Sequence, residues 1–243
     1  MTLEQHLFDE MAAQPNRGGG EKAIRPKHAA TVIIVKRDVK GPKVLMGRRR
    51  ASLTFMGGRW VFPGGKVDRA DYAAPAAREL DPEQDRRLRL ELNRGDPARL
   101  ARALGMAAIR ETFEEAGLLL AQSAPVQKSA GAWREFQAQG ALPDLSALTF
   151  IARAVTPPYR ARRFDARFFL ADAGRLLDPE RRGGSGELDE IAWIGIDETA
   201  DIDLPAVTRF MLAEAKARLT DPDRPVPYVR LKHGAPNLDQ LRD

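Results

Sequence analysis

The stretch Arg110-Glu111-Thr112-Phe113-Glu114-Glu115-Ala116-Gly117-Leu118 decides how the rest of this chain is read. With Glu111 at zero on a wheel of about 100° per residue, Glu115 falls at about 40° and Glu114 at about −60°. Three carboxylates therefore crowd one sector of a helix expected over Met106–Gly117. Met106, Ile109, Phe113 and Ala116 lie opposite and form the face that must be buried. Gly117 reads as the helix stop. Arg110, four residues before Glu114, can pair with it and orient it. Glu111 and Glu115 are like charges at i, i+4 and repel unless a cation lies between them. The pattern has two uses: a solvated acidic face, or a site for a hard divalent cation that keeps several waters for a phosphate group.

Composition narrows the second use. The chain has 243 residues, which suits one large domain or one domain with a sizeable insertion, and it is 43% hydrophobic and 30% charged, as expected of a globule with a real core. There is no cysteine, which excludes disulfides, thiolate zinc sites and a Cys nucleophile. His6, His28 and His233 are far apart, so any metal must be held by oxygen, which points to Mg²⁺ or Mn²⁺. The net charge of +5 and pI near 9.7 suit an anionic partner. The arginines are spread along the chain and no RNA-binding motif is present, so a nucleic acid is disfavoured as that partner. No apolar run approaches the roughly 18 residues that span a bilayer. Met1–Gly20 lacks the apolar centre of a signal peptide. The expected location is the cytoplasm.

Outward from the helix, Ala29–Lys36 and Lys43–Gly47 read as two strands joined through Gly41-Pro42, and Trp60-Val61-Phe62 is a short apolar segment stopped by Pro63-Gly64-Gly65. Residues 71–106 carry seven acids and seven bases, with Leu80, Leu88, Leu92, Leu100 and Leu104 at helical spacings. This stretch reads as two or three short helices broken near Asp81-Pro82 and Gly95-Asp96-Pro97. Leu118-Leu119-Leu120, Ala147–Val155, Phe164–Ala171 and Glu187–Ile196 read as further strands. Pro157-Pro158 and Arg182–Gly186 read as loops. A last helix is expected over Pro205–Leu219, capped by Asp203, and the tail after Pro225 is expected to be irregular. The resulting organisation is a lead-in over 1–27, a domain over 28–220 with a helical insertion over 72–105, and a tail over 221–243.

The Arg110–Leu118 stretch resembles the second half of the Nudix box, R-E-U-x-E-E-x-G-U, at every fixed position except the first U, where Thr112 stands. The first half of the box, G-x5-E after a Pro-Gly-Gly turn, is matched by Pro63-Gly64-Gly65 and by Asp71, one methylene shorter than the usual Glu. Between Asp71 and Arg110 lie 38 residues, where seven are usual. The chain is thus similar to the branch of Nudix hydrolases with a long insertion inside the box, whose animal members are peroxisomal coenzyme A diphosphatases. Phe55-Met56 and Arg163-Phe164-Asp165 extend the likeness, which covers roughly residues 28–200. It implies an α/β fold, an α/β/α sandwich around a mixed, curved sheet.

The resemblance also implies roles. Nudix enzymes hydrolyse a nucleoside diphosphate linked to a further group, by attack of water assisted by divalent cations. Glu111 and Glu115 would be metal ligands, Glu114 a further ligand, and a carbonyl of Gly64 or Gly65 a further donor. The general base is open between Glu111 and a late glutamate, Glu187 or Glu190. Asp71 would brace the box loop. Arg49, Arg59 and Arg163, with Arg48, Arg50, Arg160 and Arg162, are the candidates for the phosphates. Trp60, Tyr159 and Phe164 are candidates for stacking on a base. The expected reaction is cleavage of coenzyme A or acyl-CoA to 3′,5′-ADP and phosphopantetheine. Alternatives are NADH or ADP-ribose as substrate, or a non-catalytic nucleotide-binding regulator. The motif of other coenzyme A diphosphatases, L-L-T-x-R-[SA]-x3-R-x3-G-x-V-x-F-P-G-G, is kept at Leu45, Arg49, Gly58 and Phe62–Gly65. It is lost at Met46, Gly47, Arg50, Thr54 and Trp60. The oligomeric state stays open, a homodimer included.

Overall fold

The computed structural model describes residues 2–13, 24–53, 56–92, 95–126, 131–158, 160–180, 183–184 and 186–241. Thr54, Phe55, Tyr159 and Arg182, all singled out above, lie outside the described residues. In chain order the elements are α1 (Leu3–Ala12), β1 (Lys27–Lys36), β2 (Lys43–Arg49), β3 (Trp60–Val61), β4 (Gly64–Lys66), α2 (Pro82–Arg89), α3 (Pro97–Ala116) and β5 (Ala121–Ser123). There follow α4 (Trp133–Gln137), β6 (Ala141–Pro143), β7 (Thr149–Val155), β8 (Phe164–Asp172), β9 (Leu188–Gly195), α5 (Ala206–Arg218), β10 (Val226–Lys232) and β11 (Ala235–Leu241).

Nine strands form the main sheet in the order β11-β10-β7-β8-β1-β2-β3, with β4 on β1 and β9 on β2. The sheet is mixed: β1 runs parallel to β8 and β10 parallel to β7, and the other pairs are antiparallel. The run Val32-Ile33-Ile34-Val35 is almost continuously apolar because β1 is covered on both faces. Ala30, Val32 and Ile34 meet Leu104, Ala108 and Ile109 of α3 on one side, whereas Ile33 and Val35 meet Leu7 and Met11 of α1 and Met211, Leu212 and Ala215 of α5 on the other. That is the expected α/β/α sandwich.

Four expectations are corrected. The box helix does not begin at Met106. It is the second half of α3, which starts nine residues earlier, where Asp96 accepts from the N–H groups of Ala98 and Arg99 and Pro97 occupies the first turn. Gly105 does not break it, because a Cβ there would stand only 3.2 Å from Leu145 and 3.4 Å from Leu148. The insertion therefore contributes buried residues of the core, Leu88, Leu100, Ala101 and Ala103 among them. The lead-in contains α1, which docks on α5. Asp203 does not cap α5; Glu10 of α1 does, its Oε2 accepting from the Ala206 N–H at 2.9 Å. The tail is not irregular but forms the hairpin β10–β11, turned at His233 (φ 52) and Gly234 (φ 84). Two consecutive positive φ values are what a tight two-residue hairpin turn requires. Among the described residues no helix is long and apolar enough to cross a membrane.

Candidate active site

β4 and the C-terminal half of α3 build the centre. β4 pairs with β1, placing Gly65 opposite Ala30 and Gly64 opposite Thr31. The Gly64 N–H donates to Oε2 of Glu115 at 3.0 Å. A Cβ on Gly65 would lie 2.4 Å from the Glu111 carboxyl carbon, so only glycine lets this carboxylate rest on the backbone.

Arg110 is the hub behind the carboxylates. Its Nε and Nη2 donate to the two oxygens of Asp71 at 2.9 and 3.0 Å, and Nη2 also to the Lys66 carbonyl at 2.8 Å. Nη1 donates to Glu111 Oε1 at 2.8 Å and to Glu114 Oε2 at 3.0 Å. All five N–H groups of the guanidinium are used. Asp71 is wholly buried; it also accepts from the Asp68 N–H at 2.7 Å and from Trp133 Nε1 at 3.0 Å. Burial works against the charge on Arg110, but the bonds from Asp71 and the charges of Glu111 and Glu114 outweigh it and raise its pKa. Glu111 and Glu114 are raised by burial, with Arg110 pulling the other way. Glu115 is pushed up to about 8 by burial, a shift reduced by its bond from Gly64 and reinforced by the Glu111 charge.

An open cleft of about 300 Å³ lies over these groups, lined by Glu111, Glu114, Glu115 and Glu187 and by Gly131, Ala132, Arg134 and Glu135 around α4. Arg49 reaches its floor from β2, with Nη1 3.9 Å from Glu115 and Nη2 3.8 Å from Glu187.

No family model matches the chain. It is 31% identical over 179 positions to the acyl-coenzyme A diphosphatase NUDT19 of Gallus gallus. The overlap covers 53% of this chain and 47% of that protein, so the chain spans about half the length of this curated relative. The crystal structure of a NUDIX hydrolase from Alicyclobacillus acidocaldarius matches with a TM-score of 0.57 at 27% identity, covering 81% of this chain and 96% of that one.

The chain is similar to Nudix hydrolases in sequence and in fold. Its Nudix box is closed in space although it is open in sequence: Asp71 and Arg110, 39 positions apart, form a bidentate pair. Nudix hydrolases generally use divalent metals, and the donors on the Nudix helix suit a hard cation. Glu111 Oε2, Glu114 Oε1 and Glu115 Oε1 make no hydrogen bond among the described residues, the other oxygen of each being held by Arg110 or Gly64. Among the described residues no three Asp, Glu, His or Cys side chains stand close enough to form a ready-made metal site. A cation here would have to draw these oxygens together against their repulsion.

The structure separates the other candidates. Glu187 lines the cleft, whereas Glu190 reaches across to its partner Arg48 on β2 at 3.2 Å. Arg59 does not line the cleft; its guanidinium faces Asp203 at 3.6 Å. Arg163 is spent on backbone carbonyls, donating to Thr156 at 3.0 Å and to Ile24 at 2.5 Å. Arg160 likewise ties down the end of α1 through the carbonyls of Glu10 and Ala13. Arg50 meets Asp189 at 3.5 Å. The structure thus gives Arg59 and Arg163 partners outside the cleft. Trp60 packs into the core on the α5 side under Arg48. The wall formed by α4 has no counterpart in the sequence reading. A five-residue helix leaves no periodicity to detect, and its one signal was Trp133, a buried aromatic whose N–H must find an acceptor.

Proposed function

We propose that this chain is a divalent-metal-dependent hydrolase of a diphosphate linkage in a nucleoside diphosphate derivative, and that its substrate is coenzyme A or an acyl-CoA. The observation that carries the chemistry is the set of three carboxylate oxygens without a hydrogen bond among the described residues on one helix face, with Gly64 and Arg110 holding the carboxylates from behind. Glu111, Glu114 and Glu115 would hold Mg²⁺ or Mn²⁺, with a Gly64 or Gly65 carbonyl in reach. When bound, the metal supplies positive charge for the phosphoryl oxygens and acidifies the attacking water.

The protein's own residues do the rest. Arg110 fixes two carboxylates by one nitrogen and is itself fixed by Asp71, so these carboxylates are anchored from behind and a cation would have only to draw their free oxygens together. Glu187 is the base this reading favours over Glu190, because it lines the cleft and lies outside the Arg110 web. Arg49 stands between Glu115 and Glu187, where it can steady the base and meet a phosphate oxygen. Water adds to one phosphorus and the bridging oxygen leaves with the other, giving 3′,5′-ADP and 4′-phosphopantetheine from coenzyme A. Support for coenzyme A comes from the avian relative, an acyl-coenzyme A diphosphatase.

The test is a panel of coenzyme A, acetyl-CoA, 3′-dephospho-CoA, NADH and ADP-ribose with Mg²⁺ or Mn²⁺, read by mass spectrometry of products. Coenzyme A and its thioester should be cleaved at least about tenfold more efficiently than the dephospho form, since a 3′-phosphate adds charge-assisted contacts. Faster cleavage of NADH or ADP-ribose would move the substrate. Tight nucleotide binding without turnover would make the chain a regulator.

A further inference from the structure

Of the arginines expected to meet phosphate, Arg59 and Arg163 are engaged elsewhere and Arg49 sits between two glutamates. Among the described residues the cleft is lined by five glutamates, Glu111, Glu114, Glu115, Glu135 and Glu187, and by one further cation, Arg134. Arg134 is exposed, and among the described residues it makes no ion pair despite that company. Its position is nevertheless fixed. The neighbouring Trp133 and Phe136 are fully buried, Trp133 is bonded to Asp71, and Phe136 packs edge-on against Phe113 of α3 with ring centroids 5.2 Å apart. The short helix is thus pinned through its aromatic side while it presents Arg134 to the cleft. A guanidinium with its donors uncommitted, on an anchored backbone and facing a site for phosphate chemistry, is preorganised to fork onto an anionic oxygen pair.

We infer that Arg134 is the substrate-reading cation of this cleft, taking a phosphate of the nucleoside diphosphate derivative from the α4 wall. The inference rests on the diphosphatase reading above. It adds a residue of α4 that lies outside the Nudix box, and it assigns α4 the role of holding that residue in place.

The experiment uses the full chain and ADP as probe, with Mg²⁺ present and absent, by isothermal titration calorimetry. Arg134→Gln should weaken ADP binding about tenfold or more in both conditions, the range of a lost charge-assisted contact. Arg134→Lys should recover part of the loss, and Arg59→Gln should bind as wild type. In turnover of the best substrate, Arg134→Gln should raise KM about tenfold with kcat within about twofold, the pattern of a contact made equally before and during reaction. Circular dichroism and melting should match wild type, since the side chain is exposed. Unchanged ADP affinity and KM in Arg134→Gln would overturn the assignment while leaving the diphosphatase reading intact. Loss of ADP binding in a protein that cleaves no diphosphate would sink that reading and keep Arg134 as a nucleotide contact. No ADP binding by wild type would overturn the inference.

Discussion

The Gly64 N–H donates to Glu115 Oε2 across 51 positions of sequence, so the Pro-Gly-Gly turn and the acidic helix are joined by a bond to a carboxyl that burial has pushed up to about 8. In the metal-free protein that shift has a definite sign. Between the ordinary value of 4.5 and about 8, the folded state keeps a proton that the unfolded chain has released. Stability from this group is fully present below pH 4.5 and is lost as pH rises through 8. Melting temperature measured from pH 5 to 8.5 in chelator should fall. Mn²⁺ or Mg²⁺ should reverse the trend and release protons on binding. Glu115→Gln should flatten the metal-free profile, and a slope unchanged in that variant would contradict the assignment.

Glu111→Gln and Glu115→Gln should each lower turnover on the order of 100-fold or more, because an amide keeps the shape and removes the ligand charge. Above about pH 8, where Glu115 is ionised in the metal-free protein, Glu115→Gln should raise stability slightly by removing that like charge. Steady-state rates at saturating Mg²⁺, with a metal titration alongside, decide this; wild-type rates in both variants would remove these glutamates from the site.

Arg110→Lys keeps the charge and loses the fork. An ammonium has three donors and cannot reach Asp71, Lys66, Glu111 and Glu114 together. With Asp71 wholly buried, the cost should be about 3 kcal/mol or more. Urea titration would show it, together with lower metal affinity. A variant as stable as wild type would mean that the web contributes nothing to folding.

Replacing residues 74–103 by a Gly/Ser linker tests the insertion. A detached subdomain would be dispensable. The structure gives the opposite expectation, because the cut removes the Asp96 cap, the first two turns of α3 and the buried Leu88 and Leu100. Loss of cooperative melting is expected. A folded, metal-binding product would show that the core forms without the insertion.

Gln137 of α4 is 1% exposed, and among the described residues neither its amide nitrogen nor its amide oxygen has a hydrogen-bond partner. Two unsatisfied buried groups cost about 1 kcal/mol or more. Gln137→Leu should therefore raise the melting temperature by a few degrees at unchanged KM. A destabilised variant would show that the amide has a partner in solution.

What the sequence determined by itself is the local part of this molecule. The acidic face and its apolar reverse follow from helical spacing, and the stop at Gly117 (φ 74) follows from the one residue type at ease there. The central strands followed from short β-branched runs. The tertiary structure decided everything that depends on which distant residues meet. Neither Asp71 nor Trp133 carries in its neighbours any sign of the other, 62 positions away, yet they share a buried bond. Arg59, Arg163 and Arg49 look alike in sequence, and only the sheet register sends Arg49 alone to the carboxylates. The tail looked irregular because prolines interrupt it. As an edge hairpin it tolerates them, since β10 pairs with β7 only at Tyr228 and Val229 and Pro236 lies on the outermost strand. α1 was invisible for a related reason: its buried face is only Leu7 and Met11, too little to declare a docking helix until α5 supplies the surface and Glu10 caps it.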